Sequence, residues 1–188
     1  MTVFQDEVHF QVQTTVTRKW APKGSEPKVM SKPGKESVSY SGFVIPQTGE
    51  LIVNKPEWFN YETTIESIRY FLQTAPKLEE GKQYCIVMDN APWHKKAIRL
   101  IWGESLPEYQ DIRDKACYLR MPPYSPDLNP IEQVWRKTRR EKTHNHYFAD
   151  SHVLEDTVDS YFQGFKGLNE ELRSLCSFSC FDGEAVGR

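Results

Sequence analysis

Residues 124–135, YSPDLNPIEQVW, constrain the local fold more tightly than any other part of the chain. Asp127 is a turn-former there, because a short polar side chain accepts hydrogen bonds from the backbone just ahead of it. A helix follows. Asn129 can cap it, Pro130 suits its first turn, and Glu132 falls three residues after the cap. Ile131, Val134, Trp135 and Thr138 then recur at i, i+3, i+4 and i+7, the stripe that turns inward, and Glu132 lies beside that stripe. Two more carboxylates stand at similar junctions. Asp89 ends the apolar run Tyr84–Met88, which reads as a strand, and Asp6 sits inside the apolar run VFQDEV near the start.

The rest of the chain is read around those three acids. Its 188 residues suit one domain with a substantial core, and 38% hydrophobic with 13% aromatic residues describes a folded chain. The net charge of −2 gives no bulk attraction to nucleic acid, so such a partner requires a local basic patch. Cys85, Cys117, Cys176 and Cys180 form no CxxC pair and no zinc-finger spacing, which leaves reduced thiols as the default. With no secretory signal and no membrane-length apolar run, a soluble, cytoplasmic protein is expected.

Taken in order, residues 2–10 predict a first strand and the Thr- and Val-rich residues 11–20 a second. Residues 21–36, with three prolines and Lys23, Lys28, Lys32 and Lys35, predict a loop, either a solvated connector or a basic arm that touches phosphates or a partner subunit. Residues 37–46 and Glu50–Asn54 predict a hairpin turning at Gln47, Thr48 and Gly49. Tyr61–Thr74 is a helix by its Ile65, Ile68, Leu72 spacing, stopped by Pro76. After the Asp89 strand come a helix over 92–102, a polar loop over 105–114, a short strand over 116–121 and the Asn129 helix. A last helix starts near Ser151, with Leu154, Val158, Tyr161 and Phe165 on one face. Antiparallel opening strands followed by strand–helix alternation indicate an α/β chain: a mixed sheet with packed helices.

Three motifs in this order, FQDEVHF, MDNAPWH and YSPDLNPIEQVW, resemble the signatures of the bacterial insertion-sequence six-thirty transposases of the mariner superfamily. The segment RKWAPKG from Arg18 resembles that family's second strand and the loop after it, and the similarity runs from about Val3 to Phe148. The resemblance implies a ribonuclease H-like fold with a central mixed five-stranded sheet and helices on both faces. It implies a DDE endonuclease domain over residues 1–175, followed by a disordered tail over 176–188. It also implies that Asp6, Asp89 and Glu132 are the catalytic acids, holding two Mg²⁺ or Mn²⁺ ions that serve cleavage and strand transfer at transposon ends. Carboxylates suit those hard cations. The partners implied are double-stranded DNA, as terminal inverted repeats and target, and a second copy of the chain, with the protein near the nucleoid. Such transposases read their repeats through N-terminal helix-turn-helix domains, and these are expected to be absent, since only a short segment precedes Asp6. The interval from Asp89 to Glu132 is longer than the family's usual one, and the surplus falls in the polar residues 103–114.

Each candidate has a plain structural alternative. Glu7 competes with Asp6, and strand alternation says only that the two face opposite ways. Asp89 before Asn90 also suits a turn, and Glu132 also suits the third position of a capping box. His94 fits a core histidine; the resemblance places it near the active site without making it a ligand. Arg136, Lys137, Arg139 and Arg140 crowd the helix of Glu132 and are the candidate DNA contacts, against the alternative of a solvated helix face. Two other functions share these features: a nuclease of the same fold without strand transfer, and a non-catalytic DNA-binding or assembly domain.

Overall fold

A computed structural model describes residues 1–18, 20–26, 28–31, 33–123 and 125–177. Lys32, Tyr124, Cys180 and the expected tail from 178 onward lie outside the described residues. Five strands form one mixed sheet: β1 (Thr2–Gln11), β2 (Ser37–Ile45), β3 (Glu50–Asn54), β4 (Tyr84–Met88) and β5 (Ala116–Arg120), in the order β3-β2-β1-β4-β5. The first three are antiparallel neighbours, while β4 runs parallel to both β1 and β5. β1 is therefore central, and its alternation is read on both faces.

Phe4, Val8 and Phe10 of β1 point to one face, where they join Tyr40, Val44 and Val87 in a core closed by α4 (Ile131–Thr138), α5 (Ser151–Gln163) and α6 (Glu170–Cys176). Val3 points to the other, with Phe43, Ile45, Ile86 and Met88, under α1 (Tyr61–Thr74) and α2 (Pro92–Ile98). The expected five-stranded sheet with helices on both faces is the one observed. The α1 boundaries follow from local chemistry. Asn60 and Thr63 cap each other's backbone N–H groups, and the chain turns extended at Ala75, before Pro76. Gly49 turns the β2–β3 hairpin at φ +70°, and a Cβ there would lie 1.9 Å from the Asn169 carbonyl oxygen.

Four local expectations are corrected. Residues 12–18 and 20 do not form the expected second strand, with Lys19 outside the described residues: β1 ends at Gln11, and the Thr-rich segment after it hydrogen-bonds to loops instead of to a strand. Thr14 donates to the Met30 and His146 carbonyls, and the Thr17 N–H donates to Asn145. The polar residues 105–114 are not simply a loop; a 3₁₀ turn (Pro107–Tyr109) leads into α3 (Gln110–Arg113), which forms because Ile112 is fully buried under α1. Asn129 does not cap α4 with its side chain; the helix begins after Pro130, and the Asn129 backbone carbonyl accepts from the Glu132 N–H. α6 is additional, and Cys176, expected in the tail, closes it and is buried. Both α2 and α4 run on into wider π turns, Arg99–Gly103 and Arg139–Thr143. Among the described residues, no helix is long and apolar enough to cross a membrane.

Candidate active site

Strand register brings the first two acids together. Phe4 of β1 and Val87 of β4 are parallel partners, and both side chains enter the same core. Asp6 and Asp89 lie two positions further on, so both emerge on that face, on strands about 4.8 Å apart. α4 covers the same face and presents Glu132 from its first turn. Asp6, Asp89 and Glu132 line one cleft of about 340 Å³, together with Asn90, Ala91, Met121, Pro122, Ser125 and Asn129.

Glu7 faces the opposite way, and the sequence reading did not foresee its use. His94, fully buried on α2, bridges Asp89 Oδ1 through Nδ1 (2.5 Å) and Glu7 Oε1 through Nε2 (2.8 Å). Burial alone would push the imidazole down, but its hydrogen bonds to the two carboxylates outweigh that and hold it at about 9. The ring is thus an imidazolium at neutral pH, donating from both nitrogens. Trp93 Nε1 and Gln5 Nε2 also donate to Glu7, so its carboxylate is well satisfied. At Asp89, Oδ1 additionally accepts the Ala91 N–H (2.8 Å), the turn that the sequence offered as the structural alternative for this acid. The carboxyl is held below its usual range by the His94 hydrogen bond above all. Oδ2 has no partner among the described residues and is left for the cleft.

Asp6 is held from the other direction. Trp135 Nε1 donates to its Oδ2 at 3.2 Å, and the indole lies against Gly42, the β2 partner of Asp6. Burial, then the charge of Glu132, pushes Asp6 up to about 7, with Glu7 and Asp89 adding to the repulsion. Glu132 has no side-chain partner among the described residues. The Asn129 side-chain oxygen is buried with no donor among the described residues, so it joins the three carboxylates as an acceptor in the cleft. That donor set of carboxylate and amide oxygens, with no Cys or His, fits a hard divalent cation. The acids share a cleft rather than a point: among the described residues, no three His, Cys, Asp or Glu side chains gather tightly enough to hold one ion.

A family model described as DDE superfamily endonuclease matches residues 1–155. The chain belongs to the DDE superfamily endonucleases. Structures of the Mos1 strand transfer complex and of the Mos1 mariner paired end complex with Mn share the fold of this DDE endonuclease, with TM-scores of 0.60 and 0.61 at 17% and 16% identity. Each covers 92% of this chain, whereas the chain spans about half of each Mos1 chain, 49% and 50%. The expected ribonuclease H-like architecture is that shared fold. Over 73 residues the chain is also 29% identical to the uncharacterized protein y4pE/y4sA of Sinorhizobium fredii (strain NBRC 101917 / NGR234), covering 39% of this chain and 46% of that protein.

The four cations of the Glu132 helix have separate surroundings in this DDE endonuclease. Lys137 is buried, with its ammonium on Glu141 (2.6 Å) and Glu171 (2.5 Å). Arg139 lies over the Phe10 ring at 5.8 Å. Arg136 and Arg140 are exposed, with loose contacts to Asp127 (3.8 Å) and Glu141 (3.4 Å). Helical periodicity sets these directions, since Arg136 and Arg140 are a turn apart while Lys137 points towards α6.

Proposed function

We propose that this chain is the catalytic domain of a transposase that cuts DNA at transposon ends and joins the freed ends to a target. The observation that carries the reading is the shared cleft of Asp6, Asp89 and Glu132, three acids from separate elements on a ribonuclease H-like sheet. Asp6, Asp89 and Glu132 would hold Mg²⁺ or Mn²⁺, two ions per site, which supply activation of the attacking oxygen and charge stabilisation of the leaving oxygen. The protein's own part is positioning. His94 and Glu7 fix the Asp89 carboxylate, and Trp135 fixes Asp6. The Asn129 amide oxygen adds an acceptor at the cleft wall. Arg136 and Arg140, exposed one and two turns beyond Glu132, hold DNA phosphates beside the cleft. The domain runs through α6 to the buried Cys176, and two copies act together on paired DNA ends; its fold is shared with the Mos1 mariner paired end complex.

The experiment is a nicking and end-joining assay on a supercoiled plasmid bearing the element's ends, with Mg²⁺ or Mn²⁺, for the chain alone and with a DNA-binding module supplied. Metal-dependent nicks and joined products are expected from the parent chain and from neither Asp89→Asn nor Glu132→Gln. Nicking without joining would leave a nuclease and refute strand transfer. Equal nicking by the Asp89→Asn variant would refute the site.

A further inference from the structure

A second hollow lies against the acid cleft and nothing above uses it. Pro92, Lys95, Lys96, Arg99 and Arg120 line a concavity of about 430 Å³ that, among the described residues, no carboxylate lines. It adjoins the cleft through the backbone itself: Ala91 and Met121 line the cleft, and their neighbours Pro92 and Arg120 line the hollow. Its cations come from two platforms. Lys95, Lys96 and Arg99 lie on the solvent side of α2 and the turn that continues it, and Arg120 ends β5.

Two of the four are oriented by neighbours. Lys96 Nζ sits 3.5 Å from the Tyr61 ring centroid, and Arg99 Nε lies 3.1 Å from Glu104 while its side chain stays 64% exposed. Lys95 and Arg120 have no ion-pair partner among the described residues. In a chain of net charge −2, four cations in one concavity are a local arrangement and not a bulk excess. A concave, single-sign surface concentrates its field on an anion. Among the described residues the hollow offers no aromatic ring in its lining to stack a base, so it suits a sugar–phosphate backbone better than a free nucleotide.

We propose that this hollow is a phosphate track for the DNA strand leaving the acid cleft, with Lys95 and Arg120 as its principal contacts. The inference rests on the DNA-cutting reading above and adds the path of the substrate. Arg136 and Arg140 flank the cleft from α4, and the hollow lies on the α2 side of the sheet at the ends of β4 and β5, so a strand leaving the three acids rounds that sheet end onto a second set of cations. Contacts of this kind hold register and carry no base information.

The test is fluorescence anisotropy of a labelled duplex with the full chain in EDTA, across a range of KCl concentrations, which separates binding from cleavage. Lys95→Ala with Arg120→Ala should lower the slope of log affinity against log salt by about 1.8, close to 0.9 for each lost phosphate contact. Lys95→Arg with Arg120→Lys should restore it. The comparison variant carries Lys77→Ala, Lys82→Ala and Lys115→Ala, in a different hollow at the far end of β4 and β5, and should keep the parent slope. Thermal melts establish that all three variants fold. An unchanged slope in the Lys95/Arg120 variant, an equal loss in the far-end variant, or no duplex binding by the parent would each overturn the proposal. A parent chain that binds with its full slope yet never nicks DNA with Mn²⁺ would instead refute the cutting reading, so the two failures are distinct.

Discussion

The indole nitrogen of Trp135 donates to Asp6 Oδ2 at 3.2 Å across 129 positions of sequence, tying the strand of the first acid to the helix of the third. Gly42 makes the contact feasible. It is the β2 partner of Asp6, and a Cβ there would lie 2.4 Å from the indole ring. The inward stripe of α4 therefore stabilises the core and also sets where Asp6 and Glu132 stand relative to each other.

Trp135→Phe removes the donor while keeping an aromatic ring in the core. It should lower stability by about 1–3 kcal/mol, from the lost hydrogen bond and the smaller ring, and reduce metal-dependent nicking by more than tenfold. Gly42→Ala should displace the ring and give a similar loss of nicking, with destabilisation of roughly 1–3 kcal/mol from overpacking. Urea unfolding beside nicking rates measures both. Nicking at the parent rate in Gly42→Ala would show that the indole position does not matter.

His94 and Glu7 form a buried charged pair, and removing the imidazolium leaves the Glu7 charge with the neutral donors of Gln5 and Trp93. His94→Ala should therefore cost on the order of 3–5 kcal/mol. Glu7→Gln keeps the shape and should cost less. In a double-mutant cycle between Glu7→Gln and His94→Asn the coupling should exceed about 1 kcal/mol. Additive effects would mean that the two side chains merely coexist.

Metal-free stability should fall as pH rises from about 4, for two separable reasons. Asp6 is raised to about 7 in the folded protein, by burial first and then by Glu132. The folded state thus holds this proton more tightly than the unfolded one, and the penalty grows from pH 4 and is complete above 7, at roughly 4 kcal/mol as an upper limit. His94, raised to about 9, contributes stability that is fully present below pH 6.5 and is lost as pH rises through 9. Asp6→Asn should flatten the decline between about pH 4 and 6.5 and leave the decline that His94 causes between 6.5 and 9. Added Mg²⁺ should raise the melting temperature more at pH 8 than at pH 6, because binding competes with the Asp6 proton. A metal response independent of pH would argue against Asp6 as a ligand.

The cations of α4 should divide by direction. Arg136→Ala with Arg140→Ala should lower the salt slope of duplex binding by about 1.8. Lys137→Ala should leave that slope unchanged and reduce stability by roughly 1–2 kcal/mol, since its buried stem and its two carboxylate partners belong to the fold. A Lys137→Ala slope that drops as far as the Arg136 and Arg140 variant would place its ammonium on DNA.

Wherever periodicity was strong, the elements were readable. Tyr61–Thr74, Tyr84–Met88 and Glu50–Asn54 fall within their predicted limits, because capping, proline placement and alternation all act over a few neighbouring residues. Residues 11–20 misled for the converse reason. A Thr- and Val-rich segment is a good strand only when a neighbouring strand accepts its hydrogen bonds, and here the acceptors are loop carbonyls and Asn145. Asn129 had the residue type of a cap, yet its side chain is buried at the cleft wall, where tertiary packing overrides local propensity. Ile112 and α6 lacked a local signal, being specified by the surfaces they cover.

The sequence by itself determined which residue types were available and that Asp6 and Glu7 must face opposite ways, since that follows from a period of two. Only the tertiary structure decided what each faces. Parallel pairing of β1 with β4 puts Asp6 and Asp89 on the face that α4 covers, and the same alternation delivers Glu7 to His94 on the other. Likewise, helical periodicity separated Arg136 and Arg140 from Lys137, but the packing of α6 onto α4 is what buries the lysine. Local chemistry acts through bonds and turns a few residues apart. The cleft depends on contacts more than eighty positions apart, and those are fixed by which apolar faces close over one another.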